Sequence, residues 1–198
     1  MSMPDPTFDR APRRALTWAL GLNGSMFVCE IAVALIIGSI ALFADSMDFL
    51  EDTVLYGLAF LALGWSQRSQ ARASLVLAVL MAVPGVLALM AAVDKYMDQV
   101  PPDAMTMGVV GALALAVNVI SAIMLAASRN DSTVLRAAWL SASTDVIANV
   151  AIILAAVLVA RWTSAWPDII AGIGIVALHG RAAWKIGRAA LHDLGLVS

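Results

Sequence analysis

Cysteine occurs once in 198 residues, at Cys29, so no disulfide can close within the chain and no thiolate-rich metal site can form. Histidine occurs twice, at His179 and His192, which leaves little material for a histidine cluster. Charge is scarce too: 13% of residues are Asp, Glu, Lys or Arg, against about a quarter in an ordinary globular domain. No long basic stripe exists, which argues against nucleic acid as a partner. The opening stretch MSMPDPTFDRAPRR is polar and lacks the layout of a signal peptide. No nucleophile–base arrangement stands out, so the chain does not read as an enzyme.

What the chain has is apolar sequence. Hydrophobic residues make up 62% and the mean hydropathy is +0.89, which places it in the membrane class. A membrane helix needs about 20 mostly apolar residues. Six stretches qualify, at roughly 15–37, 40–64, 73–93, 105–127, 133–160 and 167–189. The breaks between them are a Gly38-Ser39 turn, the polar SQRSQAR at 66–72, DKYMDQVPPD at 94–103 with two prolines, SRND at 128–131, and RWTSAWPD at 161–168. Trp162 and Trp166 in the last of these suit a membrane interface. The expected fold is all-α, a multi-pass bundle of six membrane helices over 15–190. Short tails at 1–14 and 191–198 flank it.

Basic residues set the expected orientation. With the N-terminus in the cytoplasm, that side carries Arg10, Arg13, Arg14, Arg68, Arg72, Arg129, Arg136, Arg181, Lys185 and Arg188, and the other side carries only Lys95 and Arg161. The bias supports an even number of spans with both ends cytoplasmic.

Against this background the stretch FADSMDFLED stands out. It puts Asp45, Asp48, Glu51 and Asp52 inside the second span, while Glu30 and Asp145 fall inside the first and fifth. An acid at membrane depth costs several kcal/mol and usually marks an ion or proton path. At 100° per residue the four acids share a sector of about 120°. Asp48 and Asp52 are an i, i+4 pair. Paired carboxylates repel unless a proton or a metal cation lies between them. The fifth span repeats the spacing with Ser141 and Asp145, and Asn149 lies one turn further on. Two such helices facing each other could enclose one cation. Glu51 and Glu30 also suit hydrogen bonds inside the bundle, Ser141 suits a helix contact, and Asn23 and Asn118 read as interhelical hydrogen-bonding residues. His179 and His192 read as interfacial, near the cytoplasmic end.

The stretch GSIALFADSMDFLED at 38–52 resembles the second-helix motif of the cation diffusion facilitator family of divalent-metal transporters. LSASTD matches the fifth-helix motif, and Asn118 in LAVNVI and Glu30 in FVCEIAVALIIGSIAL fit the same pattern. The resemblance covers nearly the whole chain. It implies metal ligands at Asp48, Asp52, Ser141 and Asp145, with Asp45, Glu30, Glu51 and Asn149 as accessory or proton-path residues. Two departures stand out. The family usually has His or Asp where this chain has Ser141, and a neutral hydroxyl is a poor zinc ligand. Asp45 or water would then fill in, and an oxygen-rich set leans towards harder ions such as manganese. The family's usual cytoplasmic C-terminal domain is also not expected here.

By resemblance the protein exports a divalent cation, zinc-like, from the cytoplasm in exchange for protons. It would sit in the cell membrane (the inner one in a bacterium), bound by the lipid bilayer and paired as a homodimer through its membrane helices. It would hold no cofactor beyond the cation it carries. The rival expectation is a degenerate member that senses metal or scaffolds without transporting.

Overall fold

The structure, a computed structural model, describes residues 10–61, 72, 85–127, 133–193 and 195. These are helical almost throughout. We label the helices α1 (Arg10–Ile37), α2 (Ile40–Leu61), α3 (85–98), α4 (Ala104–Ala126), α5 (Thr133–Trp162) and α6 (Trp166–Asp193). Proline enters these helices only in first turns, at Pro12 of α1 and Pro167 of α6, where a missing N–H breaks no intrahelical bond. Among the described residues, three segments are long and apolar enough to cross a membrane: Arg14–Ile37, Ala104–Ala126 and Trp139–Trp162. The chain is thus an all-α, membrane-associated protein. α2 is long enough as well, but its four acids lower its hydropathy. Part of the expected third span, 73–84, lies outside the described residues, as do the breaks at 66–71 and 128–131.

The described boundaries have local causes. Gly38 adopts φ +63° between α1 and α2, a left-handed conformation that glycine reaches without steric cost. α3 does not stop at the charged pair Asp94-Lys95, as expected, but runs to residue 98. A charged residue does not by itself end a helix. Gln99 does so by turning to φ 53° while its N–H donates to the Lys95 carbonyl at 2.8 Å. Asp103 then caps α4, accepting from the Thr106 N–H at 2.8 Å. The Thr106 side chain, together with that N–H bond, holds the Asp103 carboxyl below the usual carboxylate range. Thr163, at φ 48°, closes α5 in the same way as Gln99 closes α3.

Between helices in lipid no hydrophobic force acts, so packing and buried polar contacts hold the bundle. α4 presents a stripe of Val110, Ala114, Asn118, Ser121 and Leu125 at i, i+3 and i+4 spacing, and α5 packs on it. Met26, Leu42, Phe49, Met107, Ala148 and Ile152 share the central cluster. Outward, Leu35, Ile36, Met105, Ile123, Ile147 and Ile170 are exposed, as a lipid-facing surface requires.

One polar knot ties three helices near the α1–α2 turn. The carboxylate of Asp168, fully buried at the start of α6, accepts from Ser39 Oγ at 2.6 Å, from the Ile40 N–H at 2.9 Å and from the Ala41 N–H at 3.1 Å. Ser39 Oγ itself accepts from the Leu42 N–H at 3.2 Å. The first amides of α2 are therefore capped by a residue more than a hundred positions away. Lys95 of α3 donates to the Gly38 carbonyl and lies 3.9 Å from Asp168. Gly172, one turn after Asp168, makes room for this: a Cβ there would lie 2.6 Å from Ile40 Cγ2 and 2.9 Å from the Ile40 carbonyl carbon.

Candidate metal centre

The i, i+4 spacing on α2 puts Asp48 and Asp52 on the inner face of the bundle, 4% and 2% exposed. Asp45, one turn earlier, is fully buried, while Glu51 is half-buried. α2 and α5 run antiparallel, so Asp145 of α5 comes level with Asp48, Ser141 with Asp52, and Asn149 with Asp45. The structure therefore brings together all four residues of the expected ligand set, but it divides them into two groups.

The first group is a closed hydrogen-bonded unit. Ser141 Oγ donates to Asp52 Oδ1 at 3.0 Å, and the Tyr56 hydroxyl donates to Asp52 Oδ2 at 2.5 Å. Both oxygens of Asp52 thus have a donor. Ser141 is oriented towards Asp52 by its proton. Tyr56, fully buried, is a partner that sequence reading missed. Its signal was the same i, i+4 spacing that singled out Asp48 and Asp52.

The second group is open. Asp48, Asp145 and His179 each offer a ligand atom, and these atoms lie within 4.8 Å of one another. His179 Nδ1 is 2.6 Å from Asp48 Oδ1. The Asp145 carboxyl lies against that of Asp48. Asp145 is 1% exposed, and among the described residues neither of its oxygens has a hydrogen-bond partner, nor does His179 Nε2. A buried carboxylate without a donor is expensive. A cation between the three side chains removes that cost. Two carboxylates and one imidazole make a mixed oxygen–nitrogen donor set, which suits a tetrahedral dication with one further position left over.

His179 is the main correction to the sequence reading. It is not an interfacial residue: its side chain is 14% exposed and faces Asp48. The signal was available, because His179 falls at the middle of the apolar run 167–189 and not at its end. A side chain that titrates near neutrality is as conspicuous there as a carboxylate. The imidazole nitrogen that α5 lacks at Ser141 is offered from α6.

The accessory residues fall on two sides of this centre. Glu51 lines a cavity of about 230 Å³ with Met47, Asp48, Val86, Leu89 and His179, between α2, α3 and α6. The cavity gives a way in to Asp48 and His179. Asp45 does not join the ligand group. Both its oxygens accept from Asn149 Nδ2, at 3.0 and 3.1 Å, and Asn149 Nδ2 also reaches the main-chain carbonyl of Asp145 at 3.0 Å. Glu30 of α1 is fully buried, and among the described residues neither of its oxygens has a hydrogen-bond partner. Asn23 binds Ser121 of α4 at 3.3 Å, the interhelical role expected of it. Asn118, also buried, has no partner on either side-chain atom among the described residues.

Comparison with known proteins agrees with this geometry. Over 194 residues the chain is 25% identical to the zinc transporter ZitB of Escherichia coli K12, covering 91% of this chain and 62% of that protein. Over 157 residues it is 26% identical to the metal cation efflux system protein CzcD of Cupriavidus metallidurans, covering 73% of this chain and 50% of that protein. The chain thus spans between half and two thirds of the length of these relatives. The family model for the cation efflux transmembrane domain matches residues 16–194. With that match over nearly its whole length, and with buried acids and a histidine converging from α2, α5 and α6, the chain belongs to the cation efflux family, a family of transporters and not of enzymes.

Proposed function

We propose that the protein exports a divalent transition-metal cation, zinc-like in its ligand preference, from the cytoplasm across the cell membrane in exchange for protons. The observation that carries this reading is the open group of Asp48, Asp145 and His179, with two buried oxygens of Asp145 that no donor reaches among the described residues. Asp52 completes the centre as a further carboxylate one turn along α2, oriented by Ser141 and Tyr56. The imidazole moves the donor set away from the oxygen-only array that favours manganese and towards zinc, cobalt or iron.

The mechanism is competition. Carboxylates and imidazole bind metal when deprotonated and release it when protonated. Facing near-neutral cytoplasm the centre loads metal; facing the other side it takes protons and lets go. In this reading the chain crosses the membrane six times with both ends in the cytoplasm, and two copies pair through their membrane helices.

One observation favours a rival: the hydroxyl of Ser141 is occupied by Asp52. A member that senses metal without moving it would show such a closed unit. Zinc uptake into proteoliposomes under a pH gradient, with cadmium, cobalt, iron and manganese alongside, separates the two. Saturable uptake that collapses with the gradient supports the transporter; zinc binding with no uptake supports the sensor.

A further inference from the structure

α3 meets the bundle through small side chains. Its buried positions are Ala88, Ala92 and Lys95, at i, i+4 and i+7 on one face, while Leu87, Met90 and Val93 are exposed. Methyl groups make few contacts, and between helices in lipid no hydrophobic force adds to them. The fastening at the end of α3 is instead polar and aromatic. Lys95 donates to the Gly38 carbonyl, just past the end of α1, and lies 3.9 Å from Asp168 in the first turn of α6. Tyr96 meets Trp166, the first residue of α6, edge to face with ring centroids 5.5 Å apart. α2 and α6 are joined here without α3. The Asp168 carboxylate accepts from Ser39, Ile40 and Ala41, and Gly172 lets the two backbones approach.

This end of α3 covers one way to the metal centre. The cavity beside Asp48 and His179 is walled by Ala44 of α2, Ala88 of α3 and Val176 of α6. One or two turns towards Asp168, Ile40, Ala92 and Ile169 of the same three helices close into one buried apolar cluster. Lys95 follows one turn beyond Ala92. An ion cannot cross such an apolar layer while the three helices stay together. We infer that the Lys95 end of α3 is a latch. Seated on Gly38 and Asp168, it holds the layer of Ile40, Ala92 and Ile169 shut. Released, it lets α3 lean away from the joined α2 and α6 and opens the metal centre towards the α1–α2 turn. In the transporter reading, on which this rests, the latch is the contact that keeps the exit closed.

The contacts suit a latch that opens. Lys95 stands one turn before the end of α3 at Asp98. Its long stem can therefore carry the ammonium from Gly38 to interfacial water without stranding a charge in lipid. Asp168 keeps its three other donors when Lys95 leaves. Tyr96 and Trp166 are both exposed, so parting them uncovers little new surface. Along the rest of its buried face α3 gives up only the contacts of alanines. The α2–α6 junction, with its three hydrogen bonds and close backbones, holds far more firmly than the α3 contact beside it.

Lys95→Met tests this, because methionine keeps an unbranched side chain and loses the charge. The parent is the full chain with Cys29→Ser and Ala92→Cys, purified in detergent and treated with a cationic methanethiosulfonate reagent. Ala92 is 4% exposed, so the parent should react slowly. Lys95→Met should raise the rate about tenfold or more, as local opening does, and Lys95→Arg should restore it. A cysteine in place of Ala114, buried on α4, should stay unreactive in both. An unchanged rate at position 92 overturns the latch, and so does an equal rise at position 114, which means general loosening. Should Lys95→Met misfold, a second route remains. Tyr96→Cys and Trp166→Cys, joined by a bismaleimide with a reducible linker, pin α3 to α6. Zinc uptake into vesicles should then fall about tenfold and return on reduction, with calorimetric zinc affinity unchanged throughout. Full uptake by the pinned protein overturns the latch alone. Opening at position 92 in a protein whose parent takes up no zinc supports the latch and overturns the transporter reading.

Discussion

The imidazole of His179 on α6 and the carboxylate of Asp48 on α2 meet at 2.6 Å, and the Asp145 carboxyl closes the triangle from α5. Removing any corner leaves the other two short of a ligand. Asp48→Ala, Asp145→Ala and His179→Ala should each weaken zinc binding tenfold or more, and tenfold corresponds to about 1.4 kcal/mol. Asp48→Ala should also abolish uptake in vesicles while the protein still inserts. Calorimetry and uptake at matched expression check this, and a His179→Ala protein with wild-type affinity would remove α6 from the centre.

Asp52 is held by two hydroxyls. Asp52→Ala should abolish uptake and strand the hydroxyls of Tyr56 and Ser141, at about 1–3 kcal/mol for a buried polar group left unpaired. A melting temperature unchanged from wild type would mean that water replaces the carboxylate, and unchanged uptake would take Asp52 out of transport.

Position 141 offers a swap. Ser141→His restores on α5 the nitrogen that this chain supplies from α6. In the His179→Ala background, Ser141→His should recover zinc affinity lost with His179, because imidazole is a far better zinc ligand than a hydroxyl. In the wild-type background it should tighten zinc, with slower release as the consequence. No recovery in the double variant, with Asp145→Ala still weakening binding, would confine Ser141 to supporting Asp52.

Topology can be read by labelling. In a Cys29→Ser background, single cysteines at positions 70 and 130 should react from the cytoplasmic side and one at 98 from the opposite side. Positions 70 and 130 lie outside the described residues; Asp98 ends α3. Reaction of position 98 from the cytoplasm alone would invert the proposed orientation.

The Asp168 knot belongs to stability. Asp168→Ala strips the caps from Ile40 and Ala41 and leaves Lys95 without its carboxylate. Loss of a cap alone costs about 1 kcal/mol, so the melting temperature in detergent should fall clearly. Gly172→Leu should do the same by pushing α6 off Ile40. A stable Gly172→Leu protein would show that α6 can move away without loss.

Much of this was legible in the sequence, and what was not has one cause. α1, α4 and α5 follow from uninterrupted apolar runs, and the turn at Gly38-Ser39 was legible from its residues. Asp48 and Asp52 announced themselves by period on a single helix, as Ser141 and Asp145 did. What the sequence hid were pairings between helices far apart in the chain. Asp168 is only the last residue of the break at 161–168 until its partners prove to be the first amides of α2. Asn149 was visible as one more turn of α5, but its hold on Asp45 depends on the register of α2 against α5. The place of His179 in the middle of an apolar run was legible, but its partner Asp48 was not, for the same reason. Helical period relates residues on one helix and says nothing about which neighbour they face.

Two attachment points define an axis. α6 is fastened to α2 at Asp168, near the α1–α2 turn, and again at His179, about sixteen ångströms further along at 1.5 Å per residue. While both hold, α6 can swivel about the line joining them but cannot slide or splay. The two fasteners differ in kind. The first is made of main-chain amides and a buried carboxylate, which no metal ion would compete for. The second is made of the two side chains that a metal ion would claim. A metal ion taken up between Asp48 and His179 would replace their direct contact with a bridge through the ion, so only this end of α6 would change with metal while the Asp168 end stays as it is.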